Sequence, residues 1–520
     1  MLLRKLLTLV LLLAVLIIPV GARAQDTTVL RVASTASVTT WDPNLSFSTE
    51  ALYIANIYEP LLWINAPGAT EPFTPALAAS WEKSEDGLTW TFHLREGVTF
   101  HDGEALTSTA VKRSIERTQA VGGASFIWLP LASIDTPDDL TVVFNLSYPA
   151  PLDLIASSLY GAWIISPKAL DAVEADETYF EQGVDAGTGP YMLSDYTADV
   201  EVVLGRFENY WGGWQDGQFE NVLINIVPDA VTQQQLLEGG EVDLALRLPP
   251  ASYDSFANNP DYAVQVNSTF FNYVGFLNTT RPPLDNKLVR QAISYAIPYD
   301  QIIEVGAEGL GTQSRGPVPT GVYPYSEDVP QYTQNLDMAR DLLAQAGFEG
   351  GGFELRLTYA AENTIEEAFA PIIADALAEI GITVNIEPML FNQQWEEAKA
   401  DPTQAQDIFL VLYWPTYSDA GSDNLWSLFR SSDAPFFNLS YYNNPDYDAL
   451  IDEATVLAGT DRDAAQGLYT QAMQMLVDDA PALYLMDVGN WYAVPTYLEG
   501  FEYNPNYAFA TFFYPIHLAE

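Results

Sequence analysis

Two stretches of this chain gather side chains suited to holding a small ligand. One is Asn392-Gln393-Gln394-Trp395; the other is Tyr413-Trp414-Pro415-Thr416-Tyr417-Ser418-Asp419. Tyr and Trp pair a flat apolar face with a hydrogen-bonding edge, the combination a ligand cleft uses. Trp414 and Thr416 lie at the carboxyl end of Asp407 to Trp414, a nearly all-apolar run that reads as a strand covered on both faces. Ligands in α/β folds gather at such strand ends. Tyr417, Asp419, Trp41 and Asn272 complete the candidate contact set. For each Trp the competing reading is plain core packing.

Covalent chemistry finds no comparable arrangement. The three histidines, His93, His101 and His517, form no HExxH motif and no pair one helical turn apart, so all three read as structural and no metal site is expected. There is no nucleophile elbow and no phosphate-binding P-loop. The chain has no cysteine, which excludes disulfides, thiolate metal sites and Cys nucleophiles. The expectation is a binding protein that is not an enzyme and uses no cofactor.

Charge narrows the partners. Sixty-nine acidic residues face 21 basic ones, a formal net charge of −48 spread without a long acidic run. That opposes nucleic acid, which calls for basic stripes, and opposes adhesion to an anionic membrane surface. With 48% apolar residues the chain reads as a soluble globule rather than a disordered acidic tail. Solubility or a saline habitat explains the acidity more simply than a field that attracts cationic ligands.

Arg4 and Lys5 precede the apolar run Leu6 to Val20, and Ala22-Arg23-Ala24 is a small-x-small site. This is the pattern of an export signal over residues 1–24, cleaved before Gln25. With no Cys to carry a lipid, the mature protein is expected in a periplasm-like space. Its length calls for two or three domains.

The elements that would position the candidate residues are legible. Leu88 to Leu94 alternates as a half-buried strand between the turns Asp86-Gly87 and Asp102-Gly103, and Thr107-Ser108-Thr109 caps a following helix with Val111 and Ile115. A helix is expected from about Thr49 to Tyr58. Leu140 to Leu146 reads as another alternating strand. Gly187 and Gly189 make a tight turn. Leu284 to Ile297 reads as an amphipathic helix with Leu288, Ala292, Ile293 and Ala296 inward. Phe353 to Glu387 is a strand–helix–strand unit: Asn363 or Thr364 caps the helix, Glu366 and Glu367 favour its positive end, and Gly381 closes it. Such order implies a parallel sheet.

Pro75 to Arg117, PALAASWEKSEDGLTWTFHLREGVTFHDGEALTSTAVKRSIER, resembles the signature of family 5 extracytoplasmic solute-binding proteins, the peptide, dipeptide and nickel group of ABC importers. Gly187 to Leu193 with Asn209-Tyr210-Trp211, Gly239 to Ala245, and Phe271 to Ile303 resemble further family landmarks. Ala110 stands where the family usually has an acidic residue, a change expected at a surface or capping contact, and Pro298 replaces an expected Asp. The resemblance implies an α/β fold of the type II periplasmic-binding-protein kind (cluster C). Its two lobes are discontinuous in the chain and close on a hinge, with an extra domain attached. It implies lobe I over 25–62, 180–268 and 490–520, the extra domain over 63–179, and lobe II over 269–489. Hinge strands are expected near Phe271 to Asn278 and Tyr484 to Val494.

The function implied is capture of di- or oligopeptides by a monomer that delivers them to ABC permease subunits. In the family's oligopeptide binders, Trp residues resembling Trp395 and Trp414 line side-chain pockets and an Asp after the second Trp holds the peptide ammonium. Thr416 is the best match to that Asp; Asp419 matches a later acid and serves only if the loop shifts. An ammonium facing Thr alone would be costly to bury. An oligosaccharide ligand, stacking on Trp, is therefore the alternative within the family. A secreted hydrolase with a glycosidase-spaced carboxylate pair and a receptor for a membrane sensor are the alternatives outside transport.

Overall fold

Alternation along strand Ile408–Tyr413 organises half of the molecule. Ile408 and Leu410 enter one apolar cluster, Phe409 and Val411 the cluster on the other face. Both faces are therefore buried, as an uninterrupted apolar run requires. The structure, a computed structural model, describes residues 28–307, 310–417, 419, 421–432 and 437–519; the export segment expected over 1–24, and Ser418, lie outside them.

The strand sits inside a six-stranded sheet in the order Gly311–Thr312, Ala482–Pro495, Tyr262–Leu277, Ile408–Tyr413, Phe353–Ala360, Ile382–Met389. The strand–helix–strand unit forms as its pattern predicts. Phe353–Ala360 pairs in parallel with Ile382–Met389 across the helix Thr364–Ala378, and Asn363 is the cap, its side chain accepting from the amides of Ile365 and Glu366. A wholly parallel sheet does not form. Ile408–Tyr413 runs antiparallel to Tyr262–Leu277, which runs antiparallel to Ala482–Pro495. Each of those two long strands runs between the halves of the molecule, and antiparallel neighbours need no helical crossover.

Glu366 departs from its expected role. It is buried and accepts from Ala360 N at 2.9 Å, and burial raises its carboxyl to about 8. At neutral pH it is a protonated core group, so only Glu367 is left to favour the helix dipole. The helix expected from Leu284 starts at Lys287 and ends at Ala296, capped by Asn286, with Val289, Ala292, Ile293 and Ala296 buried and Leu288 only half-buried.

The other half is built on two larger sheets, with two two-stranded ones beside them. Five strands run in the order Leu244–Ala245, Val29–Ser34, Asn221–Ile226, Glu201–Arg206, Tyr191–Thr197, and four in the order Ala78–Lys83, Thr89–Leu94, Thr141–Leu146, Leu131–Asp138. One continuous apolar core joins them, with Leu30 and Val32 of the first and Trp90, Phe92 and Phe144 of the second. Side chains packed in one close-fitted core move together, so these sheets form a single body.

The signature segment folds as its pattern predicts: Gly87 takes the turn at φ +69, and Thr107 caps Ser108–Val121 by accepting from Ala110 N at 3.3 Å. Ala110 itself is fully buried, so its side chain makes a core contact, not the surface or capping contact expected of it. Arg117 on this helix forks onto Asp42 at 2.7 and 2.5 Å and pins the loop before the helix Ala51–Ile57. That helix is shorter than expected because the buried Glu50 precedes it, its carboxylate accepting from Ser46 Oγ and the amides of Phe47 and Ser48.

Gly187 and Gly189 do more than turn. A Cβ at Gly187 would sit 1.9 Å from the Ile57 carbonyl oxygen, and one at Gly189 2.7 Å from the same atom. They are glycine because two backbones touch.

Strands Tyr262–Leu277 and Ala482–Pro495 bridge the two bodies. Their outer ends carry Tyr262, Val264, Trp491 and Ala493 into a small cluster with Ala33 and Leu237, while Val274, Phe276 and Tyr484 belong to the far body. The pairing register breaks between Ser268 and Asn272, midway along the crossing.

Candidate ligand-binding site

The chain leaves strand Ile408–Tyr413 where the two bodies meet. Trp414 turns its ring edge-on to Phe509, with centroids 4.9 Å apart, and packs against the core of the first body. Tyr417 is buried in that same core. The Thr416 carbonyl accepts from Ser158 Oγ of the first body at 3.1 Å. Segment 414–417 is thus a second-body strand exit clasped by the first body, where a closing cleft would hold its ligand.

Two carboxylates lie behind this segment, both fully buried. Asp419 accepts from Gly421 N at 3.0 Å. Asp423, in the π-wound turn Gly421–Ser427, accepts from the Tyr413 hydroxyl at 2.6 Å and from the Thr416 amide. Burial raises the Asp423 carboxyl to about 6, with the charge of Asp419 adding to the effect. Burial and Asp423 together raise the Tyr413 phenol well above its ordinary value, so it remains a donor. Thr416 is buried, and its backbone amide and carbonyl both hold structural partners.

Asn272, at the register break, is fully buried and donates to the Pro317 carbonyl at 3.0 Å; Asn424 donates to the same carbonyl at 2.9 Å. Each keeps a buried Oδ1 that has no hydrogen-bond partner among the described residues. Asn272 pairs in register with Tyr413, so these amides and the two acids form one polar floor.

Trp395 reaches the boundary by another route. Its ring lies 5.7 Å from Phe437, which stacks on Phe47 at 6.2 Å and meets Phe126 at 5.5 Å, both in the first body. Lys399, one turn along, places its ammonium 5.4 Å from the Trp395 ring and 5.9 Å from that of Phe437. Gln394 has a structural role, donating to Thr358 Oγ1 and the Leu410 carbonyl and so fixing its helix to the sheet. A cavity of about 490 Å³ opens nearby between Phe126, Trp128 and Leu129 on one side and Trp426, Ser427 and Arg430 on the other.

Trp41 does not join this group. It is 4% exposed, and its ring packs on Tyr53 and Tyr196 within the first body. Of the histidines, His101 has a buried side chain with Nδ1 2.7 Å from Asp185 and Nε2 2.9 Å from the Gly189 carbonyl, a clamp on the Gly187–Gly189 contact. Sequence reasoning missed Asp423, Asn424 and Phe437. The available signal was the second acid, Asp423, set in a run that is otherwise small or apolar up to Leu428 apart from Asn424.

The model of bacterial extracellular solute-binding proteins, family 5, matches residues 72–436. The chain belongs to that family. It is a solute-binding protein of the ABC-importer class, with the α/β fold of type II periplasmic binding proteins. Heme-binding protein A of Haemophilus influenzae is 29% identical over 439 residues, spanning 80% of this chain and 78% of its own. The probable D,D-dipeptide-binding periplasmic protein DdpA of Escherichia coli is 29% identical over 435 residues, spanning 82% of each. The solved structure of the ABC transporter-associated periplasmic binding protein DppA from Helicobacter pylori, in complex with peptide STSA, matches with a TM-score of 0.82 at 25% identity. It covers 95% of this chain and 98% of that one. Among the described residues no helix is long and apolar enough to cross a membrane.

Proposed function

We propose that the protein captures peptides between its two bodies outside the cytoplasmic membrane and presents them to ABC permease subunits. The observation that carries this reading is the buried pair Asp419 and Asp423 at the junction, where the hydrogen bonds to Asp423 come from neutral donors. A ligand ammonium entering there gains a charge-assisted bond and relieves the mutual repulsion of the acids. Asp419 is the ammonium partner, since Thr416 has its backbone committed and carries no charge. Trp395 and Trp414 face the ligand's side chains, and Asn272 offers its buried Oδ1 to a ligand amide. Two of the relatives named above carry peptide ligands in their names, which supports the same class.

In this reading residues 25–62, 180–268 and 490–520 form lobe I, 63–179 the extra domain and 269–489 lobe II. The hinge of this reading lies on the crossing strands, whose pairing register shifts between Ser268 and Asn272. The protein acts as a monomer, with no covalent step, no cofactor and no lipid on cysteine.

Native mass spectrometry of protein purified from a rich culture tests the reading. Co-purified peptides, or binding of the tetrapeptide Ser-Thr-Ser-Ala or of D-Ala-D-Ala to stripped protein, is the expected result. Binding of hemin or of a maltooligosaccharide with no response to any peptide would overturn it.

A further inference from the structure

Gly459 ends the helix Pro445–Ala458 at φ −65 and ψ −22, angles that any residue adopts. Its own backbone gives no reason for glycine. Its neighbours do: a Cβ there would lie 2.2 Å from the carbonyl carbon of Pro149 and 2.6 Å from the amide nitrogen of Ala150. Pro149 follows strand Thr141–Leu146 in the first body, and Gly459 belongs to the second. The turn at Gly87 completes the contact. A Cβ at Gly87 would lie 3.2 Å from Pro149 Cβ and 3.3 Å from Thr460 Cγ2, and Lys83 donates to the Gly459 carbonyl at 3.4 Å.

Charge crosses the same boundary. Arg462, two residues past Thr460, keeps a buried Nη2 that has no hydrogen-bond partner among the described residues. Asp153 of the first body lies within its field; burial pushes that carboxyl up while Arg462 and Lys83 pull it down. None of these residues belongs to the candidate ligand set.

We infer that this contact is a closure latch: the first body shuts on the second to this depth because position 459 carries no side chain, and the latch sets the closed fraction of the protein. It rests on the reading of a cleft that closes. Apparent affinity scales with the closed fraction, so position 459 tunes ligand affinity without touching ligand.

The chain's lack of cysteine allows a clean test. Dyes on Glu96→Cys and Asp341→Cys, one exposed site on each body, report closure by energy transfer, without ligand and with Ser-Thr-Ser-Ala or D-Ala-D-Ala. Gly459→Ala is compared with Gly467→Ala, whose Cβ meets nothing within 4 Å. Thr460→Trp, on an exposed turn, blocks the same contact and is read on its own should Gly459→Ala fail to fold. The latch predicts that Gly459→Ala and Thr460→Trp lower the closed fraction and weaken the affinity for whichever peptide closes the wild type by about tenfold, while Gly467→Ala matches the wild type. Equal closure in all four proteins overturns the latch, as does a wild type that never reaches the closed distance. If no peptide closes the wild type yet the ligand-free distributions still differ as stated, the peptide reading fails and the latch stands.

Discussion

A carboxylate with no cationic partner in the core is costly unless it takes a proton or serves a purpose, and Glu366 and Asp423 divide these roles. Glu366 lies under its own helix cap, raised by burial to about 8 from an ordinary 4.5. The native state holds that proton where the unfolded chain has released it, so stability falls as pH rises from about 4.5 through 8. Glu366→Gln keeps an acceptor for Ala360 N and removes the titration. Its melting temperature should exceed the wild type's most at pH 9 and least near pH 4.5, as read by thermal melts across pH. Asp423, raised to about 6, sits beside the proposed ammonium site. It is ionised above that value and neutral below it. Affinity for a peptide with a free amine should therefore fall several-fold between pH 7.5 and pH 5, and affinity for its N-acetyl form should not. Calorimetric titration of the two forms at each pH checks this.

Among the elements, close backbone approach controls more than propensity does. Gly187→Ala sets a methyl against the Ile57 carbonyl oxygen, at 1.9 Å before relaxation. Loss of about 2–3 kcal/mol or more is expected, whereas Gly68→Ala, whose Cβ meets no atom within 4 Å but whose φ is +89, should cost only its local strain. Denaturant melts of the two variants separate packing from strain. The same pair shows what was legible in the sequence. Gly187 and Gly189 read as a turn because turn chemistry is local; the contact with Ile57 spans 130 residues of chain and has no local signature. The strand–helix–strand unit and the doubly covered strand Ile408–Tyr413 were readable, since their periodicity encodes which faces are buried. Crossing strands near Phe271 to Asn278 and Tyr484 to Val494 were expected from the family resemblance, but their antiparallel pairing in this sheet was not, because direction depends on where the chain has been. The ligand segment was found through its Trp residues and its strand end. Asp423 and Phe437 were missed because their partners, Thr416 and Phe47, are set by the fold.

At the scale of the whole molecule the charge is the dominant feature. With 69 acidic and 21 basic residues, self-repulsion opposes the folded state and opposes closure of one acidic body on another. Salt screens it over about 8–10 Å. The melting temperature should rise by several degrees between 0.05 and 1 M sodium chloride, and the closed fraction should rise with it; a melting temperature that falls with salt would show that specific ion pairs outweigh the net charge. The central claim remains the placement of a ligand ammonium on Asp419 in the closed cleft. Calorimetric titration of Ser-Thr-Ser-Ala and its N-acetyl form into wild type and Asp419→Asn tests it most directly. Wild type should prefer the free amine by about tenfold or more, and Asp419→Asn should abolish the preference while remaining folded. Equal affinity of wild type for both forms, or an unchanged preference in the variant, would contradict it.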